Sequence, residues 1–375
     1  MRKLIADRMG LIDASGIRKV FALGASLKDP INFSIGLPDF DVPDPIKAAA
    51  IEAIQQGQNR YSQTVGLGTL IDKVRDRVRA QTPWDDPKVL ITSGASGALL
   101  LAFMAVIEPG DEVILPDPYF VIYKHVVRLL GGRCVYIDTY PDFGLPVDKI
   151  AAAVTDRTKM VVLNSPANPT GAVYRESDLR DLAEALDETG VLVLSDEIYD
   201  HFCYDGPCAS ITDHYEHTLL VKGFSKSYAM TGWRMGYVAA ASEPVKRVIE
   251  EMTKLQQYTF VCAPTPFQVA AQTALDMDVS EYIAAYRRKR DLAVGGLKDH
   301  FELGYEPAGA FYLFVKAPDN VPDATTFVTR AIEHNVLIIP GCVFSEKDTH
   351  FRMCYTTTDE KIRQGVEILC GLAGS

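Results

Sequence analysis

The sequence predicts an α/β protein, with a large domain on a mostly parallel sheet flanked by helices and a smaller α+β domain beside it. Three observations carry this expectation. Short apolar runs bounded by Gly, Pro, Asp, Asn or Ser recur between about residues 45 and 240, helical patterns lie between them, and after about residue 280 the style changes. A chain of 375 residues suits two units of roughly 100–200 residues and can bury a large core without disulfides or structural metals.

The apolar runs are Val89–Ile91, Val113–Leu115, Met160–Leu163, Val191–Leu194, Leu219–Val221 and Tyr237–Ala240. Each is short and rich in Val, Ile or Leu, as strands buried on both faces are. Between them, Leu179, Leu182, Ala183 and Leu186 recur at i, i+3, i+4 and i+7. Ser177 is the expected N-cap of that helix, with acidic residues in its first turn. Strands alternating with helices imply a parallel sheet covered on both sides. Further on, Tyr282–Leu297 reads as a charged helix, Gly309–Val315 as a strand and Pro318–Asp323 as a loop. The expected domains are therefore 41–279 (large) and 1–40 with 280–375 (small).

Composition excludes several classes. The 38 Lys+Arg against 49 Asp+Glu give a formal net charge of -11, and no basic block is present to meet a phosphodiester backbone, so nucleic acid is not an expected partner. The 7 cysteines are odd in number and contain no CxxC pair, which reads as unpaired thiols in a reducing compartment. His214 and His217 are close in sequence but lack an obvious third ligand, so no metal site is expected. The start, Met1-Arg2-Lys3-Leu4-Ile5-Ala6-Asp7-Arg8, has charges too interspersed for a signal peptide. No apolar run approaches the roughly 20 residues of a membrane span. A soluble, cytoplasmic protein is expected.

Open parallel sheets bind ligands beyond the carboxyl ends of their strands, so the polar residues that follow each apolar run are the candidates. After Ile91 comes Thr92-Ser93-Gly94-Ala95-Ser96-Gly97-Ala98, small residues whose backbone N–H groups can close on an anion at a helix start; a tight turn without a ligand would read the same way. After Leu163 comes Asn164-Ser165-Pro166-Ala167-Asn168-Pro169-Thr170-Gly171, which either fixes an amide or is plain turn chemistry. After Leu194 comes Ser195-Asp196-Glu197-Ile198-Tyr199, a carboxylate whose desolvation calls for a cation. After Val221 comes a stretch in which Lys226 sits among Phe224, Tyr228, Met230 and Trp233, surroundings that lower an amine's pKa and make it nucleophilic. Arg234, eight residues on, offers a fork suited to phosphate. A lysine amine, a carboxylate, a phosphate cradle and a phenol together describe pyridoxal 5'-phosphate well, because that cofactor needs a Lys Schiff base and an acid beside its pyridinium nitrogen.

These motifs resemble the class I/II aminotransferases, the aspartate-aminotransferase-like enzymes of fold type I. The resemblance runs from Ser15-Gly16-Ile17-Arg18 to the last helix, and its most specific stretch is Ser225-Lys226 through Thr231-Gly232-Trp233-Arg234-Met235-Gly236. It implies that Lys226 anchors the cofactor and then carries the proton at the substrate α-carbon. Asp196 would pair with the pyridinium nitrogen, and Asn168 and Tyr199 would hold the cofactor's phenolic oxygen. Gly94, Ala95, Ser96, Ser225 and Arg234 would bind its phosphate, and Phe120, where relatives often have Trp, would stack on its ring. For the substrate, Arg352 would clamp the α-carboxylate and Gly36 would lie at its edge. Tyr61 would reach the phosphate of a neighbouring subunit, which implies a homodimer with shared sites. Gly223, where many relatives have a phosphate-binding Ser, and Ser345, which replaces a frequent Gly, depart from the pattern.

The resemblance favours transamination from an L-amino acid, aspartate or aromatic, to a 2-oxo acid such as 2-oxoglutarate. A C–S lyase or other β/γ-eliminating enzyme would use the same motifs. A cofactor-binding regulator fused to a winged helix is disfavoured, because too little chain precedes the family-like core. Arg18 or Lys19, within Ser15–Phe21, is a candidate for recognising a dicarboxylate, although exposed charge on a first helix explains both.

Overall fold

The computed structural model describes residues 4–13, 16, 20 and 27–374; Arg18 and Lys19 lie outside them. The strands, in chain order, are β1 (Ile31–Asn32), β2 (Lys88–Ser93), β3 (Glu112–Asp117), β4 (Arg133–Asp138), β5 (Thr158–Asn164), β6 (Leu192–Asp196), β7 (Thr218–Gly223), β8 (Met235–Ala240), β9 (Tyr312–Lys316), β10 (Val336–Leu337), β11 (Ile339–Pro340) and β12 (His350–Cys354). Seven of them form the central sheet, in the order β2-β8-β7-β6-β5-β3-β4. Every predicted run falls on one of these seven strands. Six run the same way, and β8 is antiparallel to both β2 and β7. The sheet is thus mostly parallel, as expected.

Alternation along each strand explains why the runs read as continuous. Val113 and Leu115 pack on one face with Leu101, Phe103 and Met252, from the helices Gly94–Val106 and Glu243–Thr259. Ile114, between them, packs on the other face with Leu179 and Leu182 of the helix Glu176–Leu186. Successive side chains of a strand point to opposite faces, and both faces here are covered. Farther along the sheet, Ile91, Leu220 and Tyr237 pack under the helices Asp44–Gln55, Gly68–Gln81 and Thr265–Leu275.

Two expectations need correction. The helix Glu176–Leu186 starts one residue earlier than its expected cap: Arg175 occupies the N-cap position without a side-chain bond, and Ser177 lies inside the first turn, where its hydroxyl meets Asp178 Oδ1 at 3.2 Å. The four periodic residues of that helix are all buried. Nor are all cysteines unpaired. Cys203 and Cys208 form a disulfide with Cα atoms 5.7 Å apart, because the intervening chain doubles back through Gly206 at φ 137°, a conformation open to glycine.

Beyond the central sheet, β9 lies antiparallel to β12, and β12 to β11, while β1 pairs in parallel with β10. The helices Ser280–Leu297, Ala324–Glu333 and Asp359–Ala373 cover this part, with Phe311, Leu313, Val315, Phe327, Phe351 and Leu369 in its core. Tyr199 and Phe202, which follow β6, bury their rings in the same core. The two sheets are therefore joined directly beside the carboxyl ends of β5, β6 and β7.

Candidate active site

At that junction lies a cavity of about 270 Å³. Its floor comes from strand ends: Asn164 from β5, Asp196 from β6, and Ser225 and Lys226 from the turn after β7. Its walls include Gly36, Ala95, Ser96, Phe120, Asn168, Tyr199, Arg234 and Arg352. Of the sequence-predicted residues, Gly94 touches the site through Arg234, since a Cβ on it would lie 2.6 Å from Arg234 Nη2. Tyr61 is 82 % exposed and lies outside the cavity of its own chain.

Lys226 is half-buried, and its Nζ donates to the Gly36 carbonyl at 2.7 Å and sits 5.7 Å and 5.6 Å from the ring centroids of Tyr199 and Phe311. Burial pushes the Lys226 amine down to about 8, and the charges of Arg352 and Arg234 push the same way. A larger share of the amine is then the free base near neutral pH. Asp196 is buried opposite. Burial pushes its carboxyl up to about 6, against the Tyr123 hydroxyl at 2.7 Å and the Ile198 N–H at 3.3 Å, which favour the anion. An acid and a base are thus each drawn towards neutrality and held for a partner that would restore their charge.

The anion-binding end is built from backbone and one arginine. Gly94 starts the helix Gly94–Val106 at φ 72°, so the N–H groups of the first turn, from Gly94, Ala95 and Ser96, have no partner within the helix and bring its positive end to the cavity. Arg234 holds a positive φ of 55° and its Nη1 donates to Thr231 O at 2.8 Å. Non-glycine residues persist there only when their surroundings demand it. At Gly223 a Cβ would come within 2.5 Å of Ile198 Cδ1, so a side chain there would require the end of Ile198 to turn away.

At the other end, Arg352 is buried between two rings, 4.7 Å from the Tyr312 centroid and 4.4 Å from that of Phe344. Its Nη1 donates to Asn168 Oδ1 at 2.9 Å and its Nη2 to Ser34 O at 2.6 Å, while Nε has no partner among the described residues. Asn168 is fixed in turn by its own N–H to Asn164 Oδ1 at 2.8 Å, and Asn164 Nδ2 reaches Asp196 O at 2.9 Å. A Cβ on Gly36 would overlap the Tyr312 hydroxyl, and that hydroxyl shares a 2.7 Å hydrogen bond with Tyr199. Ser345 lies just outside, hydrogen-bonded to the Tyr140 hydroxyl at 2.9 Å.

Three contributors escaped the sequence reading. Tyr123 reads as a core aromatic of the helix Val121–Leu129, Asn164 as part of a turn, and Tyr312 as a strand residue. Only Asn164 carried a signal, its position at a strand's carboxyl end.

The family model for aminotransferases of class I and II matches residues 28–369. This chain belongs to that family. The aminotransferase is 36 % identical over 374 residues to a probable aspartate aminotransferase of Methanocaldococcus jannaschii, covering 98 % of this chain and 99 % of the relative. It is 35 % identical to aromatic-amino-acid aminotransferase 2 of Thermococcus litoralis, covering 97 % and 96 %. Among solved structures, the aspartate aminotransferase of Thermus thermophilus with maleate superposes with a TM-score of 0.94 at 34 % identity, covering 99 % of this chain and all of that one. Among the described residues, no helix of the aminotransferase is long and apolar enough to cross a membrane.

Proposed function

We propose that the cavity holds pyridoxal 5'-phosphate, and that the enzyme moves an amino group from an L-amino acid, aspartate or aromatic, to a 2-oxo acid such as 2-oxoglutarate. The observation that carries this reading is the pairing of a half-buried amine, Lys226, with a buried carboxylate, Asp196, in one cavity bounded by two arginines. The residues fit the cofactor. Asp196 would meet a pyridinium, the Gly94–Ser96 turn with Ser225 and Arg234 would hold a phosphate, Phe120 would face a ring, and Asn168 with Tyr199 would hold a phenolic oxygen. Arg352, with its unpartnered Nε–H, fits a carboxylate. The relatives, among them aspartate and aromatic-amino-acid aminotransferases, support the two donor classes.

When bound, the cofactor supplies an electron sink for the substrate's α-carbon. The protein's part is to hold and to move protons. Lys226 would hold the cofactor and, as free base, would take the substrate's α-proton and return it. Arg352 fixes the carboxylate, so the α-C–H bond faces Lys226. Asp196 would hold the proton of the ring nitrogen, and Tyr199 would donate to the phenolic oxygen.

The same reading includes a large domain of 41–279, a small one of 1–40 with 280–375, and a homodimer in which the exposed Tyr61 serves the neighbouring site. It also includes a cytoplasmic location without nucleic-acid or membrane partners.

The test is the visible spectrum of the protein with cofactor, recorded as single L-amino acids are added. A band that bleaches with aspartate or an aromatic amino acid and returns with 2-oxoglutarate is the expected result; a persistent band with accumulating ammonia and oxo acid would establish elimination instead. Two variants probe the assigned roles. Arg352→Lys keeps the charge but loses the fork, and is expected to raise KM for every amino acid by roughly 10–150-fold, from about 1.5–3 kcal/mol for a charge-assisted bond, measured in steady state. Tyr123→Phe removes a donor to Asp196, and is expected to weaken cofactor retention about tenfold, read by dialysis.

A further inference from the structure

Behind Lys226 runs a polar link that these steps do not use. Lys226 lies in a turn between β7 and β8, where the two backbone bonds on either side of it are long, Tyr228 N–H to Phe224 O at 3.3 Å and Ala229 N–H to Lys226 O at 3.4 Å, while Phe224 N–H to Met235 O is 3.1 Å and Thr231 N–H to Ala229 O is 2.8 Å. Ala229 adds a positive φ of 53°. The segment that carries the lysine is thus held less tightly by its own backbone than the ends of the turn are. Ser227 is buried and does not line the cavity that Lys226 enters. Its hydroxyl meets His201 Nδ1 at 3.0 Å.

His201 ties that hydroxyl to the frame. Its Nδ1 also lies 2.8 Å from Asp200 Oδ1, and its Nε2 lies 2.8 Å from Arg77 Nη2. Arg77 belongs to the helix Gly68–Gln81, and its Nη1 donates to Leu275 O at 3.1 Å. Asp200 Oδ2 accepts from Lys222 Nζ at 2.9 Å. Burial would raise the Asp200 carboxyl, but Lys222 and His201 together hold it well below the usual carboxylate range.

The hydrogen count assigns the roles. A guanidinium only donates, so His201 Nε2 accepts and the neutral ring carries its proton on Nδ1. That proton is shared between Asp200 and Ser227. We propose that His201 is a positioning residue for Lys226: Arg77 fixes its tautomer, Asp200 orients its ring, and the ring holds, through Ser227, the turn from which the amine reaches the α-carbon. This rests on the assignment of Lys226 above. A misplacement of about 1 Å at a proton-transfer group can cost about 100-fold in rate, so a link outside the cavity can still govern the chemical step.

The test combines a double-mutant cycle with an isotope effect and a measurement free of cofactor. His201→Phe is expected to lower kcat about tenfold or more with KM within about twofold, and to raise the primary isotope effect with an α-deuterated amino acid, because proton transfer becomes rate-limiting. Ser227→Ala should do the same to a lesser degree, and the double variant should be no slower than His201→Phe alone, since both break one link. His201→Asn, which keeps an N–H donor, should restore most of the rate. In the cofactor-free protein, nitrogen NMR of labelled histidine should show His201 protonated on Nδ1, and Arg77→Met should remove that preference. Additive losses, an unchanged isotope effect, or an Nε2–H tautomer would each overturn the proposal. If His201→Phe does not fold, Ser227→Ala and Arg77→Met carry the test. A wild-type protein that gains no visible band with cofactor would refute the Lys226 assignment itself, whereas a normal band with an unchanged isotope effect would refute only the role of His201.

Discussion

Lys226→Ala is expected to lower kcat by at least about 10⁴-fold, because it removes both the covalent anchor and the proton carrier. General acid–base catalysis alone accounts for roughly 10²–10⁴ of such a loss, and the exchange between anchor and substrate accounts for more. The variant should still take up the cofactor, because the Gly94–Ser96 turn, Arg234 and Asp196 are untouched, but without the visible band of a lysine-bound species. Small primary amines, which fit the space left by the side chain, should restore part of the rate. The pH dependence of the amine gives an independent check. Burial draws the Lys226 pKa down to about 8 from an ordinary 10.5. In cofactor-free protein, modification of Lys226 by an amine reagent should therefore rise through a midpoint near pH 8, as mass spectrometry can read. A midpoint near that of exposed lysines would mean that the cavity does not desolvate this amine.

How much of this was legible in the sequence depends on whether a residue's role lies along the chain or across it. Lys226, Asp196 and Asn168 follow strands, and a parallel sheet brings its strand ends to one edge, so their grouping followed from order alone. Arg352 is distant in sequence and sits inside a strand of the other sheet; no spacing rule links it to Lys226, and only the family resemblance assigned it a role. Tyr123 was invisible because a tyrosine on the inner face of a helix looks the same whether it fills space or donates to a carboxylate. The direction of β8 was equally hidden, since six apolar residues read alike in either sense. The edge strand β4 was missed although Cys134-Val135-Tyr136-Ile137 is an apolar run bounded by Arg133 and Asp138. Ser177 shows the converse error. Its cap signal was sound in kind, but the helix start is set by packing of Leu179 and Leu182 and falls before it.

Asp196→Asn should separate function from stability, with opposite signs. An amide cannot balance a pyridinium, and breaking a buried charge pair costs about 3–5 kcal/mol, so kcat is expected to fall by on the order of 10³. In the cofactor-free protein the same change should stabilise the fold. Burial raises the Asp196 pKa from 3.8 to about 6, so the folded state binds more protons than the unfolded state between those two values. Stability attributable to this group is therefore highest below about pH 4 and is lost as pH rises through 6, where a buried anion must be carried without a partner. Replacing it with a neutral isostere that still accepts from Tyr123 removes that penalty, worth about 2–3 kcal/mol above pH 6. Thermal melts of cofactor-free protein should show the variant ahead of wild type at pH 7.5 and level with it near pH 4. Adding cofactor should reverse the order at pH 7.5, because the pyridinium supplies the missing charge only to the wild type. A variant that melts earlier than wild type without cofactor would mean that Asp196 is already compensated by Tyr123, the Ile198 N–H and Lys226, and that the site stores no electrostatic strain for the cofactor to relieve.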